Sequence, residues 1–439
     1  MWPYFPHLLN RPVPRYTSYP TAAEFRADVG AADLAAALDG LPAGALVSLY
    51  VHIPFCRDIC WYCGCNTERA NSRRRLETYL AALEREIDAV AARVSGRVRV
   101  GRIAFGGGSP NAISPIAFVR LVDRLLTAFS AANAEISVEL DPRGLDASWA
   151  AVLGKLGVTR ASLGVQTLDS GIQQRIGRVQ PAESIAQSVA LLRGAGVRSL
   201  NFDLIYGLPG QTMAALEDSV QAAIAMRPDR VALFGYAHVP DRIARQRRLE
   251  AAALPGQQAR FDMAQQGHQA LLAAGYMAIG FDHFALPEDA LAVAMRAGRL
   301  RRNFQGFTDD NADALIGLGA SSISLFDHLI VQNERASGLY RARLEAGGLA
   351  AMQGVRRDAE DRERGLVIGD ILCGRPADLT GLPFDGLESR LKPFTDAGLA
   401  VLAADRLRLT ADALPYARAI AACFDRYRTG AMAGFSAPV

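Results

Sequence analysis

Lysine is almost missing from this sequence. Lys155 and Lys392 are the only two in 439 residues, so nearly all of the 48 Lys+Arg charges belong to arginine. A nucleic-acid binder gathers such charge on one face. Here 45 Asp+Glu residues are interspersed with it and the net charge is only +3, so no nucleic-acid partner is expected. No run of roughly 18 uncharged apolar residues occurs, which excludes an apolar membrane-spanning helix. The N-terminus also lacks a basic segment followed by a long apolar one. Pro3, Pro6, Pro12 and Pro14 stand there instead, so no signal peptide and a cytoplasmic address are expected. Low-complexity tracts are absent, and 50% hydrophobic residues exclude disorder as the dominant state. The length suffices for a substantial core, as two or three domains or one large barrel with an added module.

Cysteine is scarce and unevenly placed. Cys56, Cys60, Cys63 and Cys65 lie close together, while Cys373 and Cys423 stand far away in apolar surroundings, where packing is their expected role. A cytosolic chain does not favour disulfides, so the cluster points to metal or redox chemistry.

Between about 46 and 240, short β-rich runs alternate with helical patterns. Strands are expected at 47–52, 102–105, 136–140, 160–166, 199–205 and 230–237. Leu76, Leu80, Leu83, Ile87, Val90 and Val94 recur on one helical face, and Ser114-Pro115 opens the next helix with an N-cap and a first-turn proline. Further crossover helices are expected at 181–193 and 213–226. Strands each returned by a helix pair in parallel. An open sheet and a barrel both satisfy this pattern. Gly106-Gly107-Gly108, Glu139, Gln166 and Asp203 all fall at strand C-terminal ends, which favours a barrel or partial barrel with chemistry at that rim. Beyond 250 the rhythm changes: a helix at 257–274, a polar Arg-rich stretch at 287–306, helices at 358–373 and 387–399, a hairpin at 400–409 and a last helix at 411–427. The resulting division is an N-terminal segment at 1–45, a barrel at 46–250, a barrel extension and substrate-side segment at 251–345, and a mostly helical, winged-helix-like C-terminal domain at 346–439.

The strongest signal is Cys56-x3-Cys60-x2-Cys63, with Cys65 two residues on, just after the first strand. Soft sulfur ligands select zinc or iron–sulfur. A structural zinc site draws on two separated ligand pairs, and no second pair exists here. An iron–sulfur cube held by three cysteines leaves one iron open to bind a small molecule.

This motif on a βα barrel resembles the radical S-adenosylmethionine (SAM) enzymes. Further stretches narrow the resemblance: Pro14-Arg15-Tyr16-Thr17-Ser18-Tyr19-Pro20-Thr21, Leu49-Tyr50-Val51-His52-Ile53-Pro54-Phe55-Cys56, Asp203-Leu204-Ile205-Tyr206-Gly207-Leu208-Pro209, Tyr236-Ala237-His238 and Arg302-Asn303-Phe304-Gln305-Gly306-Phe307. Together they resemble the oxygen-independent coproporphyrinogen III oxidases over nearly the whole chain. The resemblance implies an α/β fold with a partial (βα)6 radical SAM barrel. It implies oxidative decarboxylation of two propionates of coproporphyrinogen III to vinyl groups, giving protoporphyrinogen IX. It further implies a 4Fe-4S cluster, two SAM molecules, an unidentified electron donor and acceptor, and no need for more than a monomer.

Residue by residue, the resemblance makes Cys56, Cys60 and Cys63 the cluster ligands. Tyr50, Gly107, Glu139 and Ile323 match contacts of the cluster-bound SAM. Tyr62, Gly108, Ser109, Gln166, Arg178, Asp203 and Ala237 match contacts of the second. Cys65 is not among the ligands, and its presence argues for the oxidases over the related haem chaperones, which remain the alternative beside other tetrapyrrole-acting radical SAM proteins. His52, inside an apolar strand, is expected to be a core residue. A substrate with four carboxylates calls for arginines. Candidates are the clusters at 242–248 and 299–302.

Overall fold

The six expected strand–helix units all form. The computed structural model describes residues 1–383 and 386–428. Its first strands are β1 (Leu46–Ile53), β2 (Arg99–Gly107), β3 (Glu135–Leu140), β4 (Arg160–Gln166), β5 (Ser199–Tyr206) and β6 (Arg230–Gly235). They pair in parallel in chain order. Each is followed by a helix: α1 (Arg73–Val94), α2 (Pro115–Ala128), α3 (Ala147–Lys155), α4 (Ala182–Gly194), α5 (Met213–Ala225) and α6 (Gln257–Ala273). Side chains of Ser72, Ser114, Asp146 and Thr212 accept the orphan backbone N–H groups that open α1, α2, α3 and α5. Such caps contribute about 1 kcal/mol each. The α1 face of Leu83, Ile87, Val90 and Val94 is buried in the main core with Val47, Leu49 and Val51 of β1.

The sheet extends beyond these strands at both edges. β7 (Met277–Ile279) and β8 (His283–Ala285) form an antiparallel hairpin on β6. The Arg-rich stretch holds the small ribbon of β9 (Arg301–Asn303) and β10 (Gly306–Thr308). At the other edge β11 (Ala314–Leu318) lies parallel to β1, followed by antiparallel β12 (Ile323–Leu325), β13 (Leu329–Asn333) and β14 (Ala351–Arg356). The complete order is β14-β13-β12-β11-β1-β2-β3-β4-β5-β6-β8-β7. β14 therefore belongs to the large sheet, although the sequence pattern puts it in the C-terminal domain. Glu86 ties this extension to α1: its buried carboxylate accepts from Gly319 N, Asn333 Nδ2 and Tyr340 Oη, each at 2.6 Å. Burial pushes that carboxyl up to about 7.

The C-terminal module contains α7 (Ala359–Leu372), α8 (Leu387–Asp396) and a three-stranded sheet of β15 (Ala377–Asp378), β16 (Ala400–Ala403) and β17 (Arg406–Leu409), with β17 central. The expected last helix is broken into a 3₁₀ turn (Ala411–Tyr416), α9 (Ala417–Ala421) and another 3₁₀ turn (Ala422–Phe424). Pro415 has no N–H to donate to a continuous α-helical ladder. Residues 429–439 lie outside the described residues. Leu8, Leu9, Tyr16 and Tyr19 of the N-terminal segment share a core with Val367, Ile371, Tyr416 and Ile420. Arg418 donates to the carbonyls of Val13 at 2.8 Å and Pro14 at 3.2 Å, strapping that segment down.

Candidate active site

The chain leaves β1 into the cysteine loop, whose two ends are held together. Phe55–Cys56 pairs in parallel with Glu68–Arg69, and Ala70 N donates to Cys56 O at 2.8 Å. Arg245 clasps the loop by donating to Thr67 Oγ1 at 2.8 Å and Cys65 O at 3.2 Å. The loop presents Cys56, Cys60 and Cys63 to one cavity of about 460 Å³ at the C-terminal rim of the parallel strands. All are free thiols. Cys60 Sγ accepts from Arg178 Nη1 at 3.3 Å and Arg143 Nη2 at 3.6 Å. Cys63 is lowered to about 6, chiefly by the Cys65 thiol, with a further bond from Cys65 N at 3.4 Å. Among the described residues no three His, Cys, Asp or Glu side chains converge as ligands of one ion. Cys56, Cys60 and Cys63 line this cavity together with Cys65, and such soft sulfur donors on one loop suit an iron–sulfur cluster.

The three glycines that close β2 and follow it, Gly106, Gly107 and Gly108, are each required for a different reason. A Cβ on Gly106 would meet the Glu139 carboxylate at 2.6 Å; one on Gly108 would meet Phe55 O at 2.5 Å. Gly107 has φ of 106° and backs onto the His52 ring, 2.5 Å from where a Cβ would sit. His52 is thus a packing residue; burial lowers it to about 4.

Two carboxylates form the floor. Glu139, near the end of β3, accepts from Gly107 N at 3.3 Å and is pushed up to about 7 by burial and then by the charge of Asp203. Asp203, on β5, is raised by burial despite bonds from Ser162 Oγ at 3.0 Å and Asn201 Nδ2 at 2.8 Å. No cation among the described residues is salt-bridged to either, so the floor favours a positively charged guest. Arg178 lines the cavity but spends its guanidinium donors on the protein. It donates to Gly164 O at 2.7 Å, Gln180 Oε1 at 3.0 Å and Asp141 Oδ1 at 3.3 Å as well as to Cys60. Gln166 takes φ of 66° where β4 slips register against β5, a strained conformation for a non-glycine residue.

Of the residues singled out in the sequence, Cys56, Cys60, Tyr62, Cys63, Gly107, Gly108, Ser109, Glu139, Gln166, Arg178, Asp203 and Ala237 line this one cavity. Tyr50 and Ile323 do not. Tyr50 is buried against Phe304, ring centroids 4.8 Å apart, and pairs with Gly317, whose other side abuts Ile323 O. Sequence reasoning missed Gln246, which is buried and ties Tyr62 O at 2.9 Å to Ala237 O at 3.0 Å. It also missed Asp141, which braces Arg178 and Arg143. Asp141 stands two residues after Glu139 at a strand end, a signal that was there to use; Gln246 offers none.

The Radical SAM superfamily model matches residues 50–223. The chain is 44% identical to the oxygen-independent coproporphyrinogen III oxidase of Bradyrhizobium diazoefficiens, with 94% of each chain covered. It is 42% identical to the protein of the same description from Paracoccus denitrificans, with 98% of each covered. The solved structure of coproporphyrinogen III oxidase from Escherichia coli, described as a radical SAM enzyme, is similar with a TM-score of 0.90 at 35% identity, over 97% of this chain and 99% of that one.

Proposed function

The chain belongs to the oxygen-independent coproporphyrinogen III oxidases of the Radical SAM superfamily, and from that membership we propose how its residues divide the work. It decarboxylates two propionates of coproporphyrinogen III oxidatively to vinyl groups, using a 4Fe-4S cluster and SAM. When bound, these supply an electron and a 5′-deoxyadenosyl radical able to take hydrogen from an unactivated C–H bond, which side-chain acid–base chemistry cannot do.

Cys56, Cys60 and Cys63 hold the cluster, with Arg178 and Arg143 complementing sulfur charge at Cys60. Gly107, Glu139, Tyr50 and Ile323 serve the cluster-bound SAM. Glu139 offers its carboxylate to a cationic ligand; Tyr50 and Ile323, off the cavity wall, flank Gly317 and support that edge. Tyr62, Gly108, Ser109, Gln166, Arg178, Asp203 and Ala237 serve a second SAM. There Arg178 acts by holding Asp141 and the end of β4 in place, and Gln246 fixes the spacing of Tyr62 and Ala237. Each propionate becomes a vinyl group with release of CO₂, a proton and two electrons, so an electron acceptor is needed beside the donor. No described helix is long and apolar enough to cross a membrane; a cytoplasmic monomer completes the proposal.

The observation that carries this reading is the convergence of three cysteines with an uncompensated acidic floor on one cavity at the strand ends. The test is anaerobic turnover of the reconstituted protein with coproporphyrinogen III, SAM, reductant and acceptor, followed by product mass. Stepwise loss of two carboxyl groups is expected. SAM cleavage that leaves the tetrapyrrole intact would overturn it.

A further inference from the structure

The arginine clusters conspicuous in the sequence are mostly occupied or outward-facing. Arg245 clasps the cysteine loop, Arg248 lies over Trp61, and Arg299 and Arg301 are exposed. Four arginines from four separated parts of the chain meet elsewhere. Arg15 comes from the N-terminal segment, Arg260 from α6, Arg302 from β9 and Arg418 from α9.

Arg15, Arg260 and Arg418 line a small cavity of about 40 Å³. Among the described residues Asp282 is the one acidic residue in its lining, and it is already paired with His283 at 2.7 Å. His268, also in the lining, is lowered to about 4 by burial and adds no charge at neutral pH. Arg15 and Arg260 alone therefore already outnumber the one carboxylate of the described lining. Their visible bonds anchor without neutralising: Arg15 donates to Gly235 O at 2.9 Å and Arg260 to Tyr236 O at 2.7 Å. Arg302 adjoins them, donating to Arg15 O at 3.3 Å while its guanidinium lies over the Phe307 and Phe281 rings. Among the described residues, Arg260 Nε and Arg302 Nε and Nη1 are buried with no hydrogen-bond partner. Burial lowers Arg260 and Arg302, and burial together with Arg15 lowers Arg418 to about 9. Unspent buried donors and unbalanced positive charge are both relieved by an anion with planar acceptors.

We propose that this pocket receives a propionate carboxylate of the tetrapyrrole, one that anchors the substrate and does not react. The inference rests on the coproporphyrinogen reading above. The pocket's volume suits one carboxylate and excludes a macrocycle. It shares Arg15, Phe234 and Gly235 with the large cavity, so the two are neighbours. SAM also carries a carboxylate, and the test must separate the two sources.

The experiment titrates coproporphyrin III, the stable oxidised tetracarboxylate, and SAM separately into the cluster-loaded full chain and its Arg302→Leu, Arg302→Lys and Arg260→Gln variants. Coproporphyrin affinity is expected to fall about tenfold in Arg302→Leu and Arg260→Gln, less in Arg302→Lys, with SAM affinity unchanged. Unchanged coproporphyrin affinity in all three overturns the proposal, as does loss of SAM affinity in its place. Should the variants not fold, the unaltered chain is titrated with coproporphyrin III tetramethyl ester, where binding equal to the free acid overturns it. Coproporphyrinogen turnover by the unaltered chain keeps the two readings apart: without it the enzyme reading falls, and with it insensitive variants remove the pocket alone.

Discussion

On one side of Phe234 and Gly235 the cavity floor is acidic; on the other the lining is basic. Glu139 and Asp203 stand on the large-cavity floor with no salt-bridging cation among the described residues, whereas in the small pocket Arg15 and Arg260 outnumber the one carboxylate of the described lining. Each region is electrostatically incomplete by itself, and in the opposite sense. An uncompensated buried charge is costly in the free protein and becomes favourable when a complementary ligand arrives. On the proposed reading the cationic ligand, SAM, meets the barrel floor, and one carboxylate arm of the polyanionic tetrapyrrole meets the pocket shared by the two ends of the chain.

The largest expected effect separates the cysteines. Cys60→Ala removes both iron loading and turnover, while Cys373→Ala, buried in a satellite core, keeps its iron content; iron analysis and anaerobic turnover check both. Gly107→Ala places a Cβ against His52 at a left-handed φ and is expected to lower stability by about 2 kcal/mol, read by thermal unfolding of the apoprotein. Next comes pH. Glu139 is held near 7 by burial and Asp203, so it is largely protonated below that value and charged above it. SAM affinity should rise about tenfold between about pH 6 and pH 8, and this dependence should vanish in Glu139→Gln. At the small end, Arg299→Gln and Arg301→Gln alter exposed side chains and should leave coproporphyrin affinity within about twofold, in contrast to Arg302→Leu.

The acidic side was legible because its parts are local. Cys56, Cys60 and Cys63 form one motif, and Gly107, Glu139, Gln166 and Asp203 each end or near the end of a strand whose periodicity is plain. The basic side was not, since residues 15, 260, 302 and 418 come together only through the packing of the N-terminal segment on the C-terminal module. Arg302 was noticed, but only as one of an exposed-looking run with Arg299 and Arg301. Strands β11 to β14 escaped because β11, β12 and β13 follow one another with no helix between them, outside the strand–helix rhythm that marked the barrel. Tyr50 and Ile323 were identified by resemblance; Tyr50 packs on Phe304 and lies close enough to Glu139 and Cys65 to feel their charge, a placement set by tertiary packing that strand alternation does not encode. Helix 411–427 failed at Pro415, a breaker visible in the sequence and outweighed by the apolar pattern around it.

The most direct measurement is a crossed titration of Glu139→Gln and Arg302→Leu with SAM and with coproporphyrin III under the same anaerobic conditions. The account predicts that Glu139→Gln weakens SAM and spares coproporphyrin, while Arg302→Leu does the reverse. Both substitutions weakening the same ligand, with the other untouched, would contradict it.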